Sequence, residues 1–403
     1  MSGKNRKKLS TELIHTGDGQ FCKELAKTAS VPETFPIYLT SVFAFDDVPS
    51  VDAVYEHTAE SYVYSRMANP NADAASRILA AAEGAEGTKA LVFASGMAAI
   101  TTAVLSFVKT GDHILASNVL YGGVYDYFAN ELPRFGVEVT FADLAREDAD
   151  PLVRPNTKLI YTETIGNPLM EVPDIAALSK TARARGPLLF VDNTFATPVV
   201  AKPLELGADI ALYSATKYLG GHSDITLGAV TGKGPLVDAV KRFQVLYGAA
   251  ASPAECWLLA RSLRTLELRM KKHSENALRV AEFLESHPKV ERVFYPGLPS
   301  SPSHGRARRQ FTGEGFGGML SADIRGGARA ASALIGELET IFFVPSLAGT
   351  ATTVSYPVKT SHRAYSAEAL KKAGIAEGQL RFSIGLEDAD DTIEELSRAL
   401  EKI

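Results

Sequence analysis

Seven short apolar runs, each ending in polar or turn-forming residues, constrain the fold of this chain more than any other feature. Most of the segments between them suit helices, as "DIAALSKTARARG" (174–186) does. Runs buried on both faces and alternating with helices predict an α/β fold with a mainly parallel sheet. Because the last run follows closely on the one before it, we expect it to form an antiparallel neighbour. The runs are 89–96, 112–118, 137–144, 158–164, 187–194, 209–217 and 227–232.

The chain changes character past residue 254. Residues 254–287 read as one long helical stretch, straight or kinked, and residues 295–305 ("YPGLPSSPSHG") read as a loop. The remainder mixes strands and helices, and residues 392–403 predict an amphipathic helix. A domain boundary is therefore expected near residue 256.

Composition excludes several classes of protein. The 403 residues are 46% hydrophobic and 22% charged, as expected for a soluble globular protein. The net charge of −5 gives no general attraction to nucleic acid or to an anionic membrane. The basic start "KNRKK" reads as a solvated tail, and without an apolar segment after it we expect no signal peptide and a cytoplasmic location. Two cysteines, Cys22 and Cys256, are too few for a disulfide framework or a zinc cluster.

One uncharged segment, residues 90–108, is long enough to be tested as a membrane span. A Ser-Gly pair interrupts it at Ser95 and Gly96. A buried strand, a tight turn and a buried helix explain the segment better than a span does.

Polar residues follow the ends of several predicted strands. Ligands of an open parallel sheet bind beyond the carboxyl ends of its strands, so these side chains should converge at one edge. A buried lysine among them is costly unless it is neutral or bonded. The residues are Ser95, Gly96 and Met97; Glu163; Asp192, Asn193 and Thr194; and Ser214, Ala215, Thr216 and Lys217.

Three kinds of ligand compete for this group of residues. A nucleotide is disfavoured because no G-x-G-x-x-G follows a strand and "GAVTGKG" (228–234) is one residue short of a P-loop. A metal is disfavoured because His222 has no partner at a ligand spacing. Pyridoxal phosphate (PLP) uses every part: Lys217 for a Schiff base, Asp192 for the pyridine nitrogen, and a helix N-terminus with hydroxyls for the phosphate.

Longer motifs lead to a specific resemblance. They are "YSRMANP" (64–70), "FASGMAAI" (93–100), "YGG" (121–123), "ETIGNP" (163–168), "VDNTF" (191–195), "SATKYLGGHSD" (214–224), "LRTLELRM" (263–270), "PSLAGT" (345–350) and "LRFSIGLED" (380–388). Together they make the chain resemble the Cys/Met-metabolism (trans-sulfuration) family of PLP-dependent enzymes, which includes methionine and cystathionine γ-lyases. The resemblance runs from about His15 to the end of the chain.

The resemblance implies a fold and a domain organisation. The fold is the aspartate aminotransferase-like PLP-dependent transferase fold (fold type I), with a mainly parallel seven-stranded sheet and a smaller α+β C-terminal domain. Residues 1–62 form an N-terminal arm and a segment that contacts a neighbouring subunit, 63–256 form the large PLP-binding domain, and 257–403 form the C-terminal domain. The expected assembly is a homotetramer of two active-site dimers.

The resemblance also implies roles for individual residues. Lys217 carries the cofactor and then moves protons on the substrate, and Tyr121 stacks on the ring and helps to protonate the leaving group. Arg381 binds the substrate α-carboxylate, assisted by Asn167 and Ser346, while His222 and Asp224 are read as structural. The remaining cofactor-binding residues are Asp192 at the ring nitrogen, Ser95, Gly96, Met97, Ser214 and Thr216 at the phosphate, and Tyr64 and Arg66 reaching the neighbouring subunit's cofactor.

Several positions depart from the patterns of the best-known lyases in the family. Pro345 and Ala351 stand where glutamates are usual, Gly123 stands where methionine γ-lyases carry cysteine, and a usual Lys-Asp pair is replaced by Gln244 and Val245. The leading hypothesis is γ-elimination from an L-homoserine-derived amino acid. The alternatives are γ-replacement by sulfide or a thiol, and β-elimination from a cysteine conjugate. All three reactions use the same residues around the cofactor.

Overall fold

Two β-sheets organise the chain in a computed structural model that describes residues 8–16, 32–360, 363, 368, 370 and 374–403. The first has the strand order β1-β7-β6-β5-β4-β2-β3 and the second the order β10-β11-β12-β9-β8. The strands are β1 (Thr88–Phe93), β2 (His113–Ser117), β3 (Glu138–Ala142), β4 (Thr157–Glu163), β5 (Leu188–Asp192), β6 (Ile210–Tyr213), β7 (Gly228–Lys233), β8 (Val290–Phe294), β9 (Met319–Ile324), β10 (Phe342–Phe343), β11 (Thr353–Ser355) and β12 (Gln379–Ser383).

Helices cover the sheets. The α-helices are α1 (Leu9–His15), α2 (Val48–Tyr55), α3 (Pro70–Glu83), α4 (Gly96–Leu105), α5 (Gly122–Asp126), α6 (Ile175–Arg185), α7 (Thr197–Val200), α8 (Gly234–Tyr247), α9 (Pro253–Leu263), α10 (Leu266–Ser286), α11 (His304–Gln310), α12 (Gly327–Glu337) and α13 (Ala389–Glu401). A π-helical turn spans Tyr127–Glu131, and 3₁₀ turns span Leu132–Phe135, Asp150–Leu152 and Pro357–Lys359.

All seven strands of the first sheet coincide with the apolar runs, which confirms the prediction of an α/β fold. β2 to β6 pair in parallel, and β7 lies antiparallel between β6 and β1. The antiparallel neighbour predicted for the last run is therefore confirmed. Since β1 runs in the same direction as β6, the carboxyl ends of six strands lie at one edge of the sheet.

The uncharged segment 90–108 has the structure predicted for it. β1 ends at Phe93, the Oγ of Ser95 accepts the N–H of Ala98 at 3.0 Å, and α4 begins at Gly96. This side-chain cap satisfies a backbone donor that the first turn of the helix leaves free. Within the part of the chain that the structure describes, no helix is long and apolar enough to cross a membrane.

The helical stretch predicted over 254–287 is two helices rather than one. α9 ends at Leu263 and α10 begins at Leu266. At the break, the buried guanidinium of Arg269 donates to the carbonyl oxygen of Ser262 at 2.9 Å and to Oγ1 of Thr265 at 3.2 Å. These bonds stabilise the backbone between α9 and α10, where the helical hydrogen bonds of α9 have ended.

The second sheet and α13 form the C-terminal part of the chain. α13 matches the amphipathic helix predicted at 392–403, and it packs on α10 and α12. The boundary predicted near residue 256 falls inside α9 and stays a prediction. Cys22 lies outside the described residues, and Cys256 is buried.

Candidate active site

The residues that follow the strands of the first sheet meet at one edge, which confirms the convergence predicted from the sequence. Glu163 and Asp192 are paired residues at the ends of β4 and β5. The backbone N–H of Ser214 donates to Oγ1 of Thr194 at 2.8 Å. An added Cβ on Gly96 would lie 2.9 Å from Cβ of Ser214, so the start of α4 approaches the end of β6 closely.

The amine of Lys217 faces the C-terminal part of the chain. Its Nζ donates to Oγ of Ser346 at 2.9 Å. Burial lowers the pKa of Lys217, and the positive charge of Arg381 lowers it further. A lowered pKa increases the fraction of neutral amine, which is the form that attacks a carbonyl or accepts a proton.

Arg381 lies on β12 and comes from the far end of the chain to this site. Its Nη1 donates to Oδ1 of Asn167 at 2.7 Å. Burial lowers the pKa of Arg381 to about 10. Among the described residues, its buried Nε has no hydrogen-bond partner. The guanidinium is thus a cation with a spare donor, suited to a carboxylate.

Two buried carboxyl groups lie side by side at the sheet edge. Oδ1 of Asp192 accepts the N–H of Thr194 at 2.9 Å, and Oε1 of Glu163 accepts the N–H of Tyr121 at 2.6 Å. Burial raises the pKa of both carboxyls, and Asp192 raises that of Glu163 further. A cation bound against Asp192 would favour its ionised form.

The start of α4 offers backbone N–H groups beside a hydroxyl. Gly96 and the half-buried Met97 form its first turn, and Ser214 packs against Gly96. A helix N-terminus of this kind binds phosphate groups. Thr216 differs, because its hydroxyl donates to the carbonyl oxygen of Leu227 at 3.1 Å and accepts the N–H of Leu227 at 3.0 Å. These bonds tie Thr216 to the chain that leads into β7.

Tyr121 lies at the same edge and is 48% exposed. An added Cβ on Gly123 would lie 2.7 Å from Cε1 of that ring, so the ring rests over a position without a side chain. Arg66 lies against α8 instead: its Nη1 donates to the carbonyl oxygen of Val245 at 2.7 Å, and its guanidinium lies 5.6 Å from the ring centre of Tyr64. None of these contacts involves Lys217.

Arg269 is a residue whose contribution the sequence analysis missed. Its Nη1 donates to the carbonyl oxygen of Tyr218 at 2.7 Å and its Nη2 approaches that of Leu219 at 3.4 Å, directly after Lys217. Gly221 has φ of 72°, and a Cβ there would collide with the guanidinium. The motif "LRTLELRM" includes Arg269, yet only the fold shows that its side chain points toward the backbone that follows Lys217.

The departures from the usual lyase patterns also have positions in the structure. Pro345 and Ala351 are exposed on either side of Ser346 and its loop. Gln244 is buried, and its Nε2 donates to the carbonyl oxygen of Val92 at 2.7 Å. Gln244 therefore holds the end of β1 rather than presenting its side chain to solvent.

The chemistry of these groups fits PLP. The lysine supplies an amine of lowered pKa, the buried Asp192 suits a protonated ring nitrogen, and the α4 N-terminus with Ser214 suits a phosphate. The Nε of Arg381, which has no partner in the part of the chain that the structure describes, is left for the carboxylate of an amino acid.

Comparison with known proteins identifies the family. A model of the family of Cys/Met metabolism PLP-dependent enzymes matches residues 10–401. The chain belongs to this family. Its members depend on PLP, so the chain is a PLP-dependent enzyme, and the resemblance stated from its motifs is confirmed.

Relatives of known name cover almost the whole chain. A Treponema denticola L-methionine γ-lyase is 41% identical over 373 residues, 91% of this chain and 92% of the relative. A Pseudomonas aeruginosa O-succinylhomoserine sulfhydrylase is 41% identical over 367 residues, 90% of each chain. The crystal structure of a Lactobacillus plantarum cystathionine γ-lyase complexed with L-serine has a TM-score of 0.89 and 36% identity, and the match covers 98% of this chain and 99% of that one. This likeness confirms the fold predicted for the family.

Proposed function

We propose that this enzyme is a PLP-dependent carbon–sulfur lyase that catalyses γ-elimination. Its substrate would be an L-homoserine-derived amino acid with a sulfur-containing or similar γ-substituent, and its products 2-oxobutyrate, ammonia and the leaving group. The observation that carries the proposal is the grouping of Lys217, Asp192 and Arg381 around one site. The γ-lyase names of similar proteins support the choice of reaction.

The residues that would hold the cofactor come from the strand ends and from a second subunit. Lys217 would bond it, Asp192 would pair with its ring nitrogen, and the residues at the α4 N-terminus with Ser214 would bind its phosphate. Tyr64 and Arg66 would reach it from the neighbouring subunit. When bound, PLP withdraws electrons from Cα of an attached amino acid, which weakens the bonds at Cα and Cβ.

Side chains of the protein itself would bind the substrate and transfer its protons. Arg381 would bind the α-carboxylate by charge-assisted hydrogen bonds, with Asn167 orienting the guanidinium. The amine of Lys217, held by Ser346, would take the proton from Cα and return protons to the substrate. Tyr121, exposed at the mouth of the site, would protonate the leaving group.

Gamma-replacement is the second candidate reaction, and a specific observation favours keeping it. The sulfhydrylase relative is as similar as the γ-lyase relative. Pro345 and Ala351 also bring no carboxylate to the loop of Ser346, which makes an ammonium group at the distal end of the substrate less suitable. Beta-elimination from a cysteine conjugate would use the same residues.

One experiment separates these reactions. L-methionine, L-cystathionine, L-homocysteine and O-acetyl-L-homoserine are supplied singly without added thiol, and oxo acids are measured by mass spectrometry. We expect 2-oxobutyrate, and the best substrate identifies the leaving group. Pyruvate would indicate β-elimination. Turnover of O-acetyl-L-homoserine only when sulfide is added would indicate γ-replacement and overturn the leading proposal.

We also propose how the enzyme is organised. The chain would divide into an N-terminal arm (1–62), a PLP-binding domain (63–256) and a C-terminal domain (257–403). It would assemble as a homotetramer built from two active-site dimers, and it would act in the cytoplasm. Light scattering of the purified protein tests the tetramer.

A further inference from the structure

Glu163 connects two loops that carry proposed site residues. Its Oε1 accepts the N–H of Tyr121 at 2.6 Å, and its carboxyl also faces the backbone N–H of Asn167, which favours the ionised form of the carboxyl. Tyr121 follows β2, whereas Asn167 follows β4, the strand that Glu163 itself ends. The two loops leave neighbouring parallel strands, so a single buried carboxyl bridges them.

Each of the two loops controls a different part of the site. Asn167 accepts from Nη1 of Arg381 at 2.7 Å and so orients the guanidinium. Tyr121 precedes α5 and presents its ring at the mouth of the site. A shift of either backbone would change the distance between the carboxylate-binding guanidinium and the tyrosine ring.

The surroundings of Glu163 favour its neutral form. Asp192 is its register partner on β5, so both side chains leave the sheet on the same face, and both are buried. Two adjacent buried carboxylates repel each other, so one of them keeps a proton. Asp192 is the one that we propose to lie against the cofactor's ring cation, which favours ionisation of Asp192. Burial and the charge of Asp192 raise the pKa of Glu163, whereas Arg381 and the two backbone donors oppose the rise.

We propose that Glu163 is a positioning residue that, as the neutral acid beside Asp192, holds the loop of Tyr121 by a hydrogen bond against the loop of Asn167 and so sets the distance between the two loops for the amino-acid substrate. This role rests on the proposed function, because it assumes that Arg381 and Asn167 bind an amino acid. It acts through hydrogen-bond acceptance and requires no negative charge on Glu163.

Two variants separate the hydrogen bonds from the charge. Glu163→Gln keeps an acceptor oxygen without the charge, and Glu163→Leu keeps the volume without an acceptor. The holoenzymes are titrated with L-norvaline, which has no leaving group, and binding is followed by the change in visible absorbance. We expect Glu163→Gln to bind within about twofold of the unmodified enzyme and Glu163→Leu to bind about tenfold or more weakly, as when buried donors lose their acceptor. Should Glu163→Leu not fold, Glu163→Ala takes its place.

Glu395 supplies a matched control. It is also a buried carboxyl that accepts backbone N–H groups of another segment, from Glu339 at 2.7 Å and Thr340 at 2.9 Å, in the C-terminal part of the chain. Glu395→Leu should lower the thermal stability and leave L-norvaline binding unchanged. This control separates positioning from general destabilisation.

Two outcomes overturn the inference. Normal L-norvaline binding by Glu163→Leu or Glu163→Ala would show that the bridge does not position the site. Weakened binding by Glu163→Gln equal to that of the apolar variant would show that the charge is required. A failure of the proposed function is distinct from both: the unmodified enzyme would then bind L-norvaline yet release no 2-oxobutyrate from any amino acid supplied.

Discussion

At the scale of single residues, burial sets the charge states on which the proposed chemistry depends. It lowers the pKa of Lys217 and of Arg381, and it raises that of Asp192. The lysine and the arginine respond differently, because an amine loses its proton far more readily than a guanidinium does. Arg381 thus stays a cation for the substrate carboxylate, while Lys217 is closer to the neutral form that moves protons.

Replacement of Lys217 tests its proposed role. We expect Lys217→Ala to lose the yellow colour of the bonded cofactor and at least about 10²-fold in activity, because the substitution removes the amine that bonds the cofactor and moves the protons. The measurements are the visible spectrum after PLP addition and the rate of oxo-acid release. Lys180→Ala, at an exposed lysine of α6, is the control and should leave both unchanged. A Lys217→Ala protein with the unmodified spectrum would contradict the assignment.

Glu83 predicts a dependence of stability on pH. It is fully buried, its Oε1 accepts from the hydroxyls of Tyr213 and Thr231, and burial raises its pKa from 4.5 to about 7. Between these values the folded state keeps a proton that the unfolded chain releases. The contribution to stability is therefore present below the lower value and is lost as the pH rises through the upper one, by about 3 kcal/mol.

Glu83→Gln should remove this dependence, because the amide is neutral at every pH. Denaturant unfolding of both proteins at about pH 5 and about pH 8 measures the effect, since the two conditions bracket the titration. We expect the stability of the variant relative to the unmodified protein to increase at the higher pH. An identical difference at both pH values would show that Glu83 has an ordinary pKa.

At the scale of elements, the site depends on how closely α4 approaches β6 and on how the turn after Lys217 is held. Gly96 permits the first approach, and Arg269 binds the carbonyl oxygens of the turn. Both features fix backbone rather than supply reactive groups. Substitution of Gly96 or Arg269 should therefore weaken the binding of the cofactor more than it slows the catalysed reaction.

A pair of glycine substitutions tests the approach of α4. Gly96→Ala places a Cβ 2.9 Å from Cβ of Ser214 and must displace one of the two elements. We expect the affinity of the apoprotein for PLP to fall about tenfold, as for overpacking of about 1.4 kcal/mol. Gly336→Ala in α12, where a Cβ meets nothing within 4 Å, should leave affinity unchanged and stabilise the helix by up to about 1 kcal/mol. Equal PLP affinities for both variants would contradict the close approach.

At the scale of the whole molecule, exposed apolar side chains mark a surface that suits a second subunit. Leu39 (73% exposed) and Val42 (58%) lie in the segment before α2, and Leu246 (65%) and Tyr247 (54%) lie at the end of α8. Arg66 bonds to Val245 beside Leu246, and the N–H of the neighbouring Ser65 donates to the carbonyl oxygen of Ser41 at 2.9 Å, so this segment of chain connects the two regions. Large exposed apolar groups near a proposed shared site support the active-site dimer.

Subunit mixing tests the shared site. Arg66→Ala and Lys217→Ala are each expected to be nearly inactive alone. If Arg66 serves the neighbouring subunit's cofactor, a mixed dimer contains one site with both substitutions and one with neither, so random mixing should restore about a quarter of full activity. The recovered activity is measured as the rate of oxo-acid release after the mixture has been refolded. No recovery in mixtures shown to contain both subunits would place Arg66 in its own subunit's site.

The sequence by itself determined the seven strands, the reversed β7, the strand–turn–helix at 90–108 and the edge where Asp192 and Lys217 lie. These follow from short-range rules, because apolar runs, caps and turn residues act on their own neighbourhood. The tertiary structure alone decided that Glu163 accepts the N–H of Tyr121, that Arg269 donates to the carbonyl oxygen of Tyr218 directly after Lys217, and that the hydroxyl of Thr216 bonds to Leu227. Such contacts join residues distant in the chain, or depend on the path of a loop, and no local pattern specifies them. The break in the 254–287 helix belongs with them, since the buried side chain of Arg269 stabilises it only in the folded chain.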